Sequence, residues 1–314
     1  MYDVIIIGGG AAGLTAAIYT TRRKLKTLVL SVDIGGQTNL TQHIENYPGY
    51  TELSGPKLMQ VFEEQAKNFG AEIIFGKVTK IEKTDKIFEV RLANDEKYEG
   101  RTVIVTSGKV PRSLGISGEE KFMGRGVTTC AICDGPLYKN KKIAIIGGGN
   151  SALDAAEYMS KIASKVYLVH RRNEFRGEAV LVDRVKAAKN VELVLNSVPL
   201  AVNGDKFVSG LTIENAETKE KKDLDVSGVF VEIGYIADTS AVKDLVKLNS
   251  KGEILVDEYC ETGTDGLFAA GDITNVPYKQ TVISAGQGAV AGLQAYTYLQ
   301  KLEGKTAVKA DWGV

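Results

Sequence analysis

Tyr2-Asp3-Val4-Ile5-Ile6-Ile7-Gly8-Gly9-Gly10-Ala11-Ala12-Gly13 decides the fold of this chain. Its design returns as Lys142-Ile143-Ala144-Ile145-Ile146-Gly147-Gly148-Gly149-Asn150-Ser151-Ala152. Each copy reads as an apolar strand, a glycine turn and the start of an Ala-rich helix. In a G-x-G-x-x-G turn the first glycine permits the tight bend, the second lets the backbone approach a pyrophosphate, and the third lets the helix pack closely on the strand. The phosphates then meet unpaired N–H groups and the positive end of the helix dipole. A single such turn is weak evidence. Strand, turn and helix twice over, offset by 139 residues (147 − 8), point to a duplicated nucleotide-binding unit.

Working outward, the first copy continues as a helix over about 11–23 and a strand from Thr27 to Ser31. Residues 35–56 are rich in Gly, Asn, Thr and Pro and read as a long irregular excursion, of the kind that in compact domains is either functional or disordered. A helix (56–69), a strand (71–75) and alternating segments (77–83, 87–93, 97–106) come next, the last three predicting an antiparallel meander. The second copy continues as a helix over about 151–163 and a strand over 165–169, with later strands at 191–195, 207–214 and 228–232. Gly108-Lys109-Val110-Pro111-Arg112 and Gly234-Tyr235-Ile236-Ala237-Asp238-Thr239 interrupt the pattern and read as interdomain crossings. The expected fold is α/β: two Rossmann-like dinucleotide-binding domains, each a parallel sheet plus an antiparallel meander. Residues 114–238 are inserted between 1–113 and 239–314.

The residues just past each turn distinguish the ligands. Asp33 lies 20 residues beyond Gly13 (33 − 13), where a carboxylate accepts a hydrogen bond from a ribose hydroxyl. After the second turn, His170-Arg171-Arg172 and Arg176 stand in place of an acid. Arginine forks match a 2′-phosphate, so NADPH is expected there rather than NADH, while His170 either stacks on the ligand or fills the strand end.

Cys130-Ala131-Ile132-Cys133-Asp134 precedes the second copy. The C-x-x-C spacing suits thiol–disulfide exchange, and Asp134 is placed to handle the proton. A structural zinc site needs about four ligands. Beyond the pair the chain offers only Cys260, read as a buried small residue, with His43 and His170 in other segments, so no metal is expected.

Composition narrows the class further. At 314 residues, with 44% apolar and 25% charged residues, two soluble domains are expected. Lys plus Arg equals Asp plus Glu, 39 against 39, leaving no broad cationic field for nucleic acid or anionic lipid. Met1 leads almost directly into a strand and no signal sequence is expected; Thr281 to Leu299 reads as a packed helix, not a membrane span. A cytoplasmic setting, without membrane attachment, is the resulting expectation.

Thr264-Asp265-Gly266-Leu267-Phe268-Ala269-Ala270-Gly271-Asp272 resembles the second FAD signature of flavoprotein disulfide reductases. The order GGGAAG, GGQ (35–37), ENYPG (45–49), CAICDG (130–135), GGGNSA (147–152), HRRNEFR (170–176) and AAGD (269–272) is similar to that of low-molecular-weight thioredoxin reductases over essentially the whole chain. The resemblance implies a homodimeric FAD enzyme that reduces thioredoxin, or a thioredoxin-like disulfide protein, with NADPH. It implies FAD contacts at Gly8, Gly10, Gly13, Asp33, Gly36, Gln37, Asn46, Gly271, Asp272, Gln280 and Thr281. It implies NADPH contacts at Gly147, Gly149, Ser151, His170, Arg171, Arg172 and Arg176. By the same resemblance Cys133 is the flavin-proximal thiol, Cys130 attacks thioredoxin and Asp134 is the acid. Three departures stand out: Ile132 where Thr is usual, Ala237-Asp238 where Pro-Asn is usual, and Asp33 where Glu is usual.

A dithiol and a nicotinamide that must both meet one flavin predict rotation of the inserted domain, hinged near Pro111 and Gly234. Three alternatives remain at this point. An electron donor such as ferredoxin is disfavoured by Arg171, Arg172 and Arg176; a peroxiredoxin-linked acceptor is disfavoured because no N-terminal redox domain is expected. The third is a non-enzymatic flavoprotein sensor.

Overall fold

The computed structural model describes residues 1–41, 44–51 and 53–305. Its chain divides into two compact units, one built from Met1–Val110 with the segment from Ile236 onward, the other from Pro111–Tyr235.

In the first unit the strand Tyr2–Gly9 is central because Val4, Ile5 and Ile6 are apolar on both faces and fully buried. It pairs in parallel with Thr27–Ile34 on one side and Lys97–Val105 on the other. The sheet runs Glu72–Phe75, Thr27–Ile34, Tyr2–Gly9, Lys97–Val105, Ile87–Leu92, Val78–Thr84. The last three are the antiparallel meander read from the alternation, and Leu267–Ala269 adds in parallel to Lys97–Val105. The helices Ala11–Arg22 and Thr281–Leu302 meet at very close range. A Cβ on Gly288 would lie 2.1 Å from the Ala12 carbonyl oxygen, and one on Gly292 would lie 3.0 Å from that of Ala16. Close packing therefore accounts for these two glycines, whereas Gly286 has nothing within 4 Å.

The second unit repeats the scheme. Its parallel sheet runs Val191–Val194, Lys165–Val169, Lys142–Ile146, Gly228–Val231, Val127–Thr128, with the antiparallel trio Ser197–Gly204, Val208–Asn215, Lys221–Leu224 beside it. The helices Asn150–Ser160 and Ala179–Ala187 belong to it too. Ala179–Ala187, Ser197–Gly204 and Lys221–Leu224 are absent from the sequence expectation. Of the helix only Val185 is buried, so it carries little apolar periodicity to read.

Both unit boundaries fall three residues earlier than the expected 113/114 and 238/239 (113 − 110 and 238 − 235). Arg112 donates its backbone N–H to the Gly234 carbonyl at 2.9 Å, tying the segment after Pro111 to the second unit, while Ala237 packs in the first unit's core. Among the described residues no helix is long and apolar enough to cross a membrane.

Candidate active site

In the first unit Gly8 holds φ +112°, and a Cβ there would lie 2.5 Å from the Thr106 carbonyl oxygen. At Gly13 the clearance from the Gly8 carbonyl oxygen is only 1.8 Å. Gly10 differs. It is the N-cap of Ala11–Arg22, provides no side-chain cap, and meets nothing nearer than the Gly35 carbonyl oxygen at 3.9 Å. Space beside a helix N-terminus with no side chain over it is what a pyrophosphate requires.

The remaining first-site residues gather from both ends of the chain. Asp33, exposed at the end of Thr27–Ile34, accepts the Gly36 N–H at 3.2 Å, and Gly36 has no neighbour within 4 Å of a Cβ position. Gln37 Nε2 donates to the Lys109 carbonyl at 2.7 Å, and Asn46 Nδ2 donates to Gln280 Oε1 at 3.1 Å. The Gly271 N–H is received by Gln287 Oε1 at 2.8 Å, Asp272 Oδ1 accepts the Ser284 hydroxyl at 3.1 Å, and the Thr281 hydroxyl lies 3.4 Å from that of Thr38. Helix Thr281–Leu302 has no acidic residue in its first turn, so the positive end of its dipole is left to act on an anionic group. These residues fit FAD.

Beneath this cluster lies Glu253, which the sequence did not single out. Burial alone would push its carboxyl up, but hydrogen bonds from Lys109 (2.8 Å), Asn249 (2.8 Å) and Lys279 outweigh it and hold the group at about 2. Lys279 also donates to the carbonyls of Asp272 (3.1 Å) and Thr274 (2.6 Å), so the network reaches the AAGD turn.

In the second unit a Cβ on Gly147 would lie 2.3 Å from the Glu232 carbonyl oxygen, whereas Gly149, the uncapped N-cap of Asn150–Ser160, has nothing within 4 Å. Ser151 is exposed in that helix's first turn. Arg176 donates its backbone N–H to the Gly148 carbonyl at 2.8 Å, which brings the arginine segment back to the glycine turn with Arg171, Arg172 and Arg176 all exposed. These residues fit a nucleotide carrying a 2′-phosphate. His170 is placed otherwise. Its ring is buried, stacked on Phe175 at 5.4 Å, and packed so that a Cβ on Gly148 would be 2.2 Å from Nδ1. Its Nε2 lies 3.0 Å from the Glu174 carbonyl; burial lowers its pKa against that hydrogen bond, with the arginines adding to the lowering.

Cys130 and Cys133 form a disulfide with Cα atoms 5.4 Å apart. Cys133 is exposed and Cys130 half-buried, with Ile132 44% exposed between them, so a partner sulfur has access. Thr128, which the sequence reading missed, grips this turn. Its hydroxyl donates to Asp134 Oδ2 at 2.5 Å and accepts the Cys130 N–H at 3.2 Å. The Cys133 N–H points to Cys130 Sγ at 3.2 Å, and the Asp134 N–H to the Cys130 carbonyl at 3.2 Å. Glu232 was missed as well; its signal was an acid ending the buried run Gly228-Val229-Phe230-Val231, at the strand terminus where α/β sheets place ligands. Cys260 is 1% exposed and burial pushes its thiol up to about 12. Among the described residues no three His, Cys, Asp or Glu side chains gather to hold a metal; His43 lies outside them.

The family described as pyridine nucleotide-disulphide oxidoreductase matches residues 2–291. Thioredoxin reductase of Buchnera aphidicola subsp. Schizaphis graminum is 41% identical over 312 residues, covering 95% of this chain and 97% of that protein. An alkyl hydroperoxide reductase component of Staphylococcus aureus is 40% identical over 299 residues; the chain spans 59% of that relative's length. The solved structure of Lactococcus lactis thioredoxin reductase aligns with a TM-score of 0.82 at 35% identity, covering 96% of this chain and all of that one. Two uncapped glycine turns, an exposed acid after one and exposed arginines after the other, and a disulfide are thus found along one chain with relatives that match nearly its whole length. The chain belongs to the pyridine nucleotide-disulphide oxidoreductase family, as a relative of the thioredoxin reductases.

Proposed function

We propose that the protein is an NADPH-dependent disulfide reductase whose acceptor is thioredoxin or a thioredoxin-like protein. The observation that carries this reading is the accessible Cys130–Cys133 disulfide, held beside the Asp134 carboxyl by Thr128. Bound FAD and NADPH would supply a two-electron route from a nicotinamide to that disulfide. In the first unit Gly8, Gly10 and Gly13 would admit the FAD pyrophosphate, Asp33 a ribose, and Gly36, Gln37, Asn46, Gly271, Asp272, Gln280 and Thr281 the rest of the cofactor. In the second, Gly147, Gly149 and Ser151 would admit the NADPH pyrophosphate, and Arg171, Arg172 and Arg176 its 2′-phosphate, with His170 supporting the turn.

Once reduced, Cys130 as thiolate attacks a sulfur of the partner's disulfide. A mixed disulfide forms and one partner thiolate departs. Cys133 then attacks Cys130, restoring the intramolecular bond and releasing the second thiolate, so two electrons leave with two sulfurs reduced. Asp134 supplies and recovers the proton, and Thr128 keeps it facing the turn. The two units, Met1–Val110 with the chain from Ile236 and Pro111–Tyr235, would act as the FAD and NADPH domains and alternate their positions between half-reactions. A cross-link that locks them is expected to abolish turnover and spare one half-reaction; full activity in the locked protein defeats the alternation. We place the protein in the cytoplasm, where a dithiol cycles readily, as a homodimer, which light scattering checks.

The decisive experiment pairs a visible spectrum of the purified protein with anaerobic NADPH titration of wild type and Cys133→Ser. A flavin band, and loss of the disulfide step alone in the variant, support the function. A colourless protein, or one reduced by NADH as well as by NADPH, removes it. The Staphylococcus aureus relative favours a second acceptor, the disulfide of a peroxide-reducing partner. Rates with thioredoxin and with an oxidised peroxiredoxin, measured side by side, separate the two.

A further inference from the structure

Glu253 joins two of the segments assigned to FAD, although it belongs to neither. Residues 248–254 form the turn that brings it there. Leu248 and Ile254 bridge in antiparallel, and Ile254 also pairs in parallel with Thr274, just past the AAGD turn. The Ile254 N–H donates to the Ile273 carbonyl and the Asn275 N–H to the Ile254 carbonyl, each at 2.9 Å. The Glu253 side chain is thereby buried with two half-buried lysines against it. Its Oε1 accepts a hydrogen bond from Lys109 Nζ at 2.8 Å and lies 3.3 Å from Lys279 Nζ, and its Oε2 accepts one from Asn249 Nδ2 at 2.8 Å. Each lysine leads on to one segment. Lys279 donates to the carbonyls of Asp272 and Thr274, across the AAGD turn. The Lys109 carbonyl accepts Gln37 Nε2 and so holds the GGQ segment.

We propose that Glu253 is a positioning residue for FAD: as the shared counter-ion of Lys109 and Lys279, it locks the GGQ and AAGD segments into one arrangement. The inference rests on the reading of the first unit as an FAD site. An exposed ion pair would do little here, because water and salt screen it. Glu253 is only 6% exposed, and removing one member of a buried pair leaves the others charged without a partner. Burial pulls the Lys279 ammonium down, Lys109 adds to the lowering by repulsion, and the pairing with Glu253 opposes both. Without the carboxylate the two lysines repel each other with nothing between them. Lys279 then gains by turning to water, and the Asp272 and Thr274 carbonyls lose their donor. The three charged residues come from segments far apart in the chain, so the lock exists only once both portions of the first unit have folded together.

The test follows FAD release from the full-length holoprotein after dilution, read as recovery of flavin fluorescence, at a temperature where every variant keeps its far-UV circular dichroism. Glu253→Gln keeps the size and loses the charge, and should release FAD roughly 10- to 100-fold faster than wild type. Lys279→Met should release it roughly tenfold faster, while Lys279→Arg, which keeps charge and donors, should stay within about threefold of wild type. The double variant Glu253→Gln/Lys279→Met should fall short of the product of the single effects, because both break one interaction. Ile81→Ala, a buried meander residue outside the network, lowers the urea midpoint by opening a cavity and should leave release within about threefold. Unchanged release in Glu253→Gln overturns the proposal, as do strictly multiplicative effects, or an Ile81→Ala variant that speeds release as much as Glu253→Gln. If Glu253→Gln does not fold, Lys279→Met against Lys279→Arg decides, and equal rates overturn the proposal. A wild type that holds no FAD removes the flavin reading and this inference with it. A wild type that holds FAD, with Glu253→Gln releasing it no faster, sinks the inference alone.

Discussion

The two glycine turns share a backbone design and diverge immediately afterwards. Gly8 and Gly147 both press a carbonyl, and Gly10 and Gly149 both leave space at an uncapped helix N-terminus. After the first turn comes an exposed Asp33; after the second come exposed Arg171, Arg172 and Arg176. Backbone geometry leaves the same open space in each unit, and under the proposed function the side chains at the next strand end choose the nucleotide. Two carboxyls repeat the contrast. Buried Glu253 in the first unit is surrounded by two lysines and an asparagine and lies at about 2; half-buried Glu232 in the second is pushed up to about 7 by burial, with Asp154 adding to the rise.

The largest break in the comparison should come from Gly13→Ala, whose Cβ would lie 1.8 Å from the Gly8 carbonyl oxygen. Overpacking against backbone should cost upwards of about 3 kcal/mol and abolish flavin retention. Gly149→Ala, with open space, should cost under about 1 kcal/mol and raise the KM for NADPH. Urea midpoints and flavin absorbance per chain check both. Next, Glu253→Gln strips the charge that pairs Lys109 and Lys279 and should destabilise the first unit by about 2–3 kcal/mol. The sign with pH comes from its depressed value: the stabilisation is full above 4.5 and is lost as pH falls toward about 2. Glu232 has the opposite sign. Its raised value favours the fold at low pH, and that contribution is lost as pH rises from 4.5 through about 7. Thermal unfolding across pH 3–8 should therefore show Glu253→Gln falling below wild type as pH rises toward 4.5 and above, and Glu232→Gln, which matches the protonated carboxyl at low pH, rising above wild type as pH passes about 7.

Replacing Arg171 and Arg172 together by Ala should lower kcat/KM for NADPH roughly 10- to 100-fold while leaving NADH little changed, from the loss of charge-assisted hydrogen bonds. Steady-state kinetics with both nucleotides measure it. The smallest effect is expected from Thr128→Val, which removes the 2.5 Å hydrogen bond to Asp134 but keeps the shape. Turnover of a disulfide substrate should fall about fivefold, with flavin content and NADPH affinity intact.

The sequence by itself determined the repeated strand–turn–helix, the meander and the dithiol, because each is local: apolar runs, glycine spacing and a four-residue motif carry their own signals. It also placed Asp33 and the arginines, through a fixed distance from a fingerprint. Tertiary structure alone decided what touches these groups. Thr128 carries no signal in sequence until Asp134 and the Cys130 amide meet its hydroxyl, and only the fold stacks the His170 ring on Phe175 over Gly148. Glu253 and Glu232 are both acids in sequence, and only the partners brought from distant segments separate them. An isolated residue's chemistry is written in its side chain, but its charge state is set by desolvation and neighbours, which exist only once the chain has folded.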